Sequence, residues 1–376
     1  MTTPVNVPRI SASVVLPKPA LQQVFENLQE SGFSIIGPTL REGMVALDEI
    51  RTVEDLPRGL RDQQSPGHYH LRPAEDGQWF GYNLGAHSWK QFLHPPRVTL
   101  YSVNKNEGHW TLQRPEKVAP RYAFVGVRAC DLQAVFIQDR VFLGEEYRDP
   151  YYGRRREQIF ILAVNCSTAS SSCFCTSMKT GPRVSTGYDL VLTELSDAFL
   201  LEVGSEAGSE MLRSTGWQSA TAFDLGRATQ VLQQAERQIT REMNTVDLPQ
   251  LLYRNLEHPR WSKVAARCLS CANCTMVCPT CFCTTVEDSS DLRGTSAERV
   301  RVWDSCFVLD FSHVHGGNLR PTVRARYRQW LTHKLGSWID QFGTSGCVGC
   351  GRCITWCPVG IDITEELKAI RATGER

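Results

Sequence analysis

The chain has 376 residues, a formal net charge of +1 and 41% hydrophobic residues, which is the composition of an ordinary globular protein. This length is sufficient for two domains, at about 100–200 residues per domain. The near-neutral charge creates no broad field for nucleic acid or anionic lipid, and no segment approaches the ~18 consecutive apolar residues of a membrane span. We therefore expect neither a nucleic-acid partner nor a membrane partner.

Cysteine is the unusual feature of the composition, with 15 residues. The N-terminal sequence MTTPVNVPRISASVV lacks the charged region, the apolar region and the cleavage site of a secretory signal. We therefore expect a cytoplasmic protein, in which thiols stay reduced. So many thiols in a reducing compartment indicate metal ligands rather than disulfides.

The first half of the sequence has the pattern of an α/β domain, which we place at residues 1–215. Residues 20–31 have helical periodicity, and the apolar run that follows them has the length of a strand. We predict a sheet with covering helices, because further runs rich in β-branched and aromatic residues follow. The predicted strands are 33–38, 98–103, 122–127, 158–164, 189–195 and 198–204.

The pattern changes after about residue 222, where long helical stretches alternate with cysteine-rich segments. Residues 223–243 and 323–342 both have helical periodicity. We therefore predict a domain boundary near Gly216 and an all-α C-terminal domain at residues 216–376, a helical dicluster ferredoxin domain.

One cysteine motif occurs twice in this second half. Both copies have the spacing C-x2-C-x2-C-x3-C-P, which bacterial ferredoxins use to hold cubane clusters. The fourth cysteine of each copy reaches the other cluster in such proteins, because the chain turns away before the proline. Zinc or inert thiols are the alternative, but a zinc site needs no crossed fourth ligand. We predict one 4Fe–4S cluster on Cys268, Cys271, Cys274 and Cys357, and a second on Cys278, Cys347, Cys350 and Cys353.

Four further cysteines follow strands of the α/β domain. Cys130 and Cys166 each come at the end of a predicted strand, and Cys173 and Cys175 follow soon after. If a helix over 131–143 joins these strands as parallel neighbours, the strand ends lie at one edge of the sheet, where α/β proteins place their sites. We hypothesise a third 4Fe–4S cluster on these four cysteines. The alternative is that they are buried structural cysteines.

The three remaining cysteines, Cys281, Cys283 and Cys306, stay without an assigned role. They are one ligand short of a cubane, and a structural role is the simpler interpretation.

A basic stretch and a glycine-rich loop flank the second motif copy. The basic residues could dock an acidic partner or offset the charge of reduced clusters, although a solvated helix face is the simpler alternative. The glycines would let backbone N–H groups approach cluster sulfurs, and an ordinary flexible loop is the alternative. The basic residues are Arg320, Arg324, Arg326, Arg328 and Lys334, and the glycines are Gly346, Gly349 and Gly351.

Nucleotide-binding motifs are absent from the sequence. No GxGxxG follows a strand, and neither a P-loop nor a His-Glu-x-x-His motif occurs. We therefore expect any NAD(P) site to lie on a partner subunit.

Several segments together resemble one protein family. FVGVRACDLQAV, DPYYGRRRE, NC-x6-CFC, CPTCFC, WDSC and CVGCGRC-x3-CP are similar to the β subunit of cytoplasmic sulfhydrogenases, which are NAD(P)-linked nickel–iron hydrogenases. The iron–sulfur subunit of anaerobic sulfite reductase is also similar. The resemblance extends from about Phe124 to Asp362.

This resemblance implies an electron-transfer subunit that catalyses nothing alone. Its partners would be a flavoprotein that carries FAD and binds NAD(P)H, together with nickel–iron hydrogenase subunits or, as the alternative, a sirohaem sulfite reductase subunit. Two other functions stay open: a structural iron–sulfur platform, and a self-contained oxidoreductase acting at Cys281, Cys283 and Cys306.

Overall fold

The computed structural model describes residues 7–114, 119–144 and 147–374. Residues 1–6, which begin the segment used for the cytoplasmic expectation, lie outside these ranges. Within the described ranges, no helix is both long enough and apolar enough to cross a membrane.

The strands of the described residues are numbered in chain order. They are β1 (Ser13–Pro17), β2 (Ser34–Arg41), β3 (Met44–Glu49), β4 (Leu60–Ser65), β5 (His68–Pro73), β6 (Arg97–Asn106), β7 (His109–Gln113), β8 (Tyr122–Val127), β9 (Phe160–Val164), β10 (Leu190–Glu194), β11 (Ala198–Val203), β12 (Gln218–Ser219), β13 (Thr284–Ser290), β14 (Ser296–Trp303), β15 (His313–Val314) and β16 (Gly317–Asn318).

The α-helices are numbered in the same way. They are α1 (Leu21–Glu30), α2 (Lys90–Leu93), α3 (Ala129–Phe142), α4 (Pro150–Arg156), α5 (Cys175–Met178), α6 (Glu206–Glu210), α7 (Ala222–Gln238), α8 (Leu248–Arg254), α9 (Arg260–Ala265), α10 (Asn273–Met276), α11 (Val323–Thr332), α12 (Trp338–Phe342), α13 (Arg352–Thr355) and α14 (Ile363–Gly374). Short 3-10 turns lie at Lys18–Ala20, Val53–Asp55 and Asp310–Ser312, and a π-helical turn lies at His333–Ser337.

A mixed sheet forms the core of the first half, with the strand order β12-β1-β11-β10-β9-β8-β2-β3. The four central strands β2, β8, β9 and β10 are parallel, and antiparallel strands complete both sides. The sequence favours this arrangement because β9 and β10 are buried along their whole length, as expected for central parallel strands. The predicted parallel pairing of 122–127 with 158–164 is confirmed by β8 and β9.

The predicted all-α character of the second half is wrong. Strands β13 and β14 lie between the two cysteine motifs and form a four-stranded sheet in the order β13-β14-β6-β7. Strand β14 pairs with β6, so this sheet joins residues of both halves of the chain.

The physical reason for this sheet lies in the sequence TTVEDSSDLRGTSAERVRVW. Its ends are rich in threonine and valine, and the turn at Asp291 to Gly294 connects two runs that alternate along the strand. The helical periodicity of the neighbouring segments concealed this hairpin. The domain boundary near Gly216 stays a prediction.

The two predicted long helices differ in how closely they were anticipated. Helix α7 begins as predicted but ends at Gln238, five residues before the predicted end at 243. The stretch 323–342 is helical throughout, but the π-helical turn His333–Ser337 divides it into α11 and α12. This division determines the direction in which the side chain of Lys334 points.

Candidate metal centres

The first group of thiols lines one cavity of about 430 Å³. The opposite wall is apolar and includes the buried side chains of Tyr327, Trp330 and Ile363. Such a wall excludes water from the sulfurs. The group contains Cys268, Cys271, Cys274 and Cys357, as the motif spacing predicts.

The loop that carries Cys271 is unusually tight. Ser270 and Ala272, on either side of Cys271, both adopt left-handed backbone conformations, with φ of 51° and 65°. Residues other than glycine rarely adopt this conformation, and it costs roughly 1–2 kcal/mol each. The loop leaves Cys271 exposed, so this group is the one that reaches the protein surface.

The second group gathers thiols from both motif copies. Burial raises the pKa of the Cys353 thiol, and the nearby thiols of Cys347, Cys350 and Cys278 raise it further. Cys278 comes from the first copy, and the other three come from the second. In the same way, Cys357 of the second copy lies beside Cys268 of the first. The structure therefore places each fourth cysteine with the opposite copy.

Backbone N–H groups point at sulfurs in both groups. The N–H of Gly349 donates to Cys347 Sγ at 3.4 Å, and that of Ile361 donates to Cys357 Sγ at 3.2 Å. Hydrogen bonds to ligand sulfurs stabilise thiolates and influence the reduction potential of a cluster. The predicted role of the glycine-rich loop agrees with the contact at Gly349.

A third group of thiols surrounds a separate cavity of about 500 Å³. Cys130 begins α3 directly after β8, and Cys166 follows β9, so both lie at the same edge of the sheet. The cavity is lined by Cys130, Cys166, Cys173, Cys175 and Cys350, together with polar residues that include Arg128, Asp131 and Arg352. Cys350 of the second group is therefore adjacent to the third.

The loop of the second motif packs backbone against backbone on the third group. The N–H of Phe174 donates to the carbonyl oxygen of Gly349 at 2.9 Å. A Cβ atom on Gly349 would lie 2.7 Å from the backbone nitrogen of Cys175, and one on Gly351 would lie 2.4 Å from the carbonyl oxygen of Ser172. Only glycine permits this approach.

We expect Gly351→Ala to reduce the free energy of unfolding by about 3 kcal/mol, from left-handed strain and from overpacking together. Gly294→Ala is the matched control, because Gly294 has a similar φ of +64° with no atom within 4 Å of the added Cβ. The control should lose only the strain, about 1–2 kcal/mol. Anaerobic urea unfolding followed by circular dichroism measures both, and equal losses would contradict the close approach.

A buried ion pair separates the second and third groups. Arg352 donates two hydrogen bonds to the carboxylate of Asp131, at 2.8 and 3.2 Å, and the two side chains are 6% and 1% exposed. The pair joins α13 of the second motif to α3 of the sheet domain. It therefore fixes the two halves of the chain against each other.

The donor atoms fit iron–sulfur clusters. Burial raises the pKa of the Cys347 thiol to about 12, although Lys334 opposes this, and burial also raises that of Cys175 to about 12. Such thiols become thiolates when a metal supplies positive charge. Among the described residues, no group of three or more His, Cys, Asp or Glu side chains is placed to hold a single metal ion.

The three cysteines without an assigned role lie beside the groups above. Cys281 is hydrogen-bonded to Cys278, and Cys306 lies near both Cys283 and Cys274. They stay without an assigned role.

The residues of the basic stretch differ in their surroundings. Arg324 and Arg328 pair with Glu257 at the surface, whereas Arg326 donates to backbone carbonyl groups. Lys334 instead is buried and contacts Cys278. Sequence reasoning missed this contact, although the helical spacing of Lys334 with the apolar residues Leu331, Leu335 and Trp338 was a signal for burial.

Comparison with known proteins agrees with this geometry. The family model described as a 4Fe–4S dicluster domain matches residues 267–361, which contain all eight cysteines of the two motifs. No solved structure matches the chain significantly. The chain is thus an iron–sulfur protein of the 4Fe–4S dicluster class.

Sulfhydrogenase 2 subunit beta of Pyrococcus furiosus is 34% identical to the chain over 356 residues, which cover 93% of this chain and 95% of the relative. The chain therefore belongs to the sulfhydrogenase β-subunit family.

Proposed function

We propose that the chain is the electron-transfer subunit of a multi-subunit NAD(P)-linked nickel–iron hydrogenase. The observation that carries this proposal is the grouping of eight cysteines from two distant motifs into two sets of four, in a chain of the sulfhydrogenase β-subunit family. Bound 4Fe–4S clusters would supply one-electron chemistry at these sets.

The three groups form a continuous series. Cys274 of the first group lies near Cys353 of the second, and Cys350 of the second lies near Cys130 and Cys175 of the third. Cys271 is exposed at one end of this series. The residues are therefore arranged to hold redox centres in a row from the surface to the edge of the central sheet.

The partners follow from what this chain lacks in sequence and from the name of its relative. A flavoprotein subunit with FAD would exchange electrons with NAD(P)H, and nickel–iron subunits would react with hydrogen. We place this complex in the cytoplasm. The alternative catalytic partner is the sirohaem subunit of an anaerobic sulfite reductase, in which case this chain would be the iron–sulfur subunit of that enzyme.

Co-purification tests the function directly. Nickel in the anaerobically isolated complex, with clusters reduced by NADPH through the flavoprotein, is the expected result. Sirohaem in place of nickel would identify the sulfite reductase alternative. Clusters that dithionite cannot reduce would indicate a structural platform and overturn the electron-transfer function.

We propose that the third group holds a 4Fe–4S cluster on Cys130, Cys166, Cys173 and Cys175. We expect about twelve irons per chain and a loss of about four on Cys175→Ala, because a cubane contains four irons. Iron quantitation on anaerobic protein measures this. Cys283→Ala is the control and should keep all of its iron, and about eight irons in the unmodified chain would exclude the third cluster.

A further inference from the structure

Lys334 is a buried lysine whose contacts are at a cysteine ligand. Its side chain is 3% exposed, and in the described part of the chain no carboxylate forms an ion pair with it. The ammonium nitrogen lies 3.4 Å from Cys278 Sγ, 3.2 Å from Thr280 Oγ1 and 3.0 Å from the carbonyl oxygen of Gly346. The ammonium group therefore has acceptors on both motif copies.

Burying an ammonium group without a counter-charge is unfavourable. Burial alone would lower the pKa of Lys334, but the surrounding thiolates, led by Cys278 and Cys281, raise it well above its usual range. The negative charge that compensates the lysine is thus the sulfur of the second group. The reverse also holds, because the ammonium stabilises negative charge on those sulfurs.

The backbone holds Lys334 in this position. The N–H of Gly346 donates to the carbonyl oxygen of Lys334 at 2.8 Å, and this glycine directly precedes Cys347. The lysine itself is in the π-helical turn His333–Ser337, an irregularity that is often found at functional sites. Both the main chain and the side chain of Lys334 therefore contact the second motif copy.

The first group has no equivalent cation. In the part of the chain that the structure describes, no lysine or arginine side chain donates a hydrogen bond to Cys268, Cys271, Cys274 or Cys357. Reduction adds one negative charge to a cluster, and a nearby buried positive charge stabilises the reduced form more than the oxidised form.

We propose that Lys334 is a positioning residue that raises the reduction potential of the second group above that of the first. This inference depends on the proposed electron-transfer function. The second group then receives the electron preferentially, and the lysine acts through the Cys278 ligand without contacting any substrate.

Anaerobic potentiometric titration of the full chain, followed by EPR, tests the inference. In Lys334→Met, the ratio of reduced to oxidised second cluster at a fixed potential should fall at least tenfold, about 59 mV for one electron. The first cluster in the same sample is the internal control and should not change. Lys334→Arg, which keeps the charge, should recover most of the ratio.

Two results would overturn the inference. One is an unchanged ratio, or an equal change at both clusters, in a Lys334→Met protein that keeps its iron. The other is loss of the second cluster in both Lys334→Met and Lys334→Gln, since the lysine would then be needed to bind the cluster. Failure of the proposed function is different, because the unmodified chain would then show no reducible cluster.

Discussion

Replacing Cys357 with alanine is expected to remove the cluster of the first motif copy, although Cys357 belongs to the second copy. The reason is that Cys357 lines the same cavity as Cys268, Cys271 and Cys274. The variant should lose about four irons per chain. Its EPR spectrum should match that of Cys271→Ala, which affects the first group only.

The reciprocal variant provides the control. Cys278→Ala should give the spectrum of Cys350→Ala, because the structure places both residues in the second group. If Cys357→Ala instead resembled Cys350→Ala, each motif would hold its own cluster and the crossed arrangement would be wrong. The experiment therefore decides between two ligand schemes that have the same total iron content.

Replacing Asp131 with alanine should reduce the free energy of unfolding by about 3–5 kcal/mol, the usual cost of removing one partner of a buried ion pair. Arg352 would be left buried with its charge uncompensated, since its side chain is only 6% exposed. The midpoint of anaerobic urea unfolding, followed by circular dichroism, measures the change.

Two further variants make this second test specific. Glu157→Ala removes a pair with Arg148 in which both side chains are 62% exposed, and it should cost less than about 1 kcal/mol. The double variant Asp131→Leu with Arg352→Met should recover much of the lost stability, because apolar residues can replace a buried pair. Similar costs for Asp131→Ala and Glu157→Ala would show that the buried pair is not structurally important.

The parts of the fold that sequence predicted are those governed by local pattern. The runs that became β8, β9 and β10 are continuously apolar, so their burial and strand length followed from composition. The grouping of the motif cysteines followed from their spacing. The ligand assignment itself stays a prediction until the alanine variants are measured.

The parts that sequence did not predict depend on contacts between distant residues. The pairing of β14 with β6 joins segments about 200 residues apart, and nothing local to either strand specifies its partner. Asp131 and Arg352 are also distant in sequence, and each alone resembles an ordinary surface charge. Lys334 was placed in a basic stretch, because the residues that surround it come from three different segments.

The sheet formed by β13, β14, β6 and β7 limits how this protein can be divided. A fragment starting near residue 216 would keep every cysteine of the two motifs, yet β14 would lose the neighbour that completes its ladder. The dicluster segment is consequently not a cassette that can be transplanted without the rest. Any lineage that acquired it by gene fusion would have had to inherit the β6–β7 hairpin along with it.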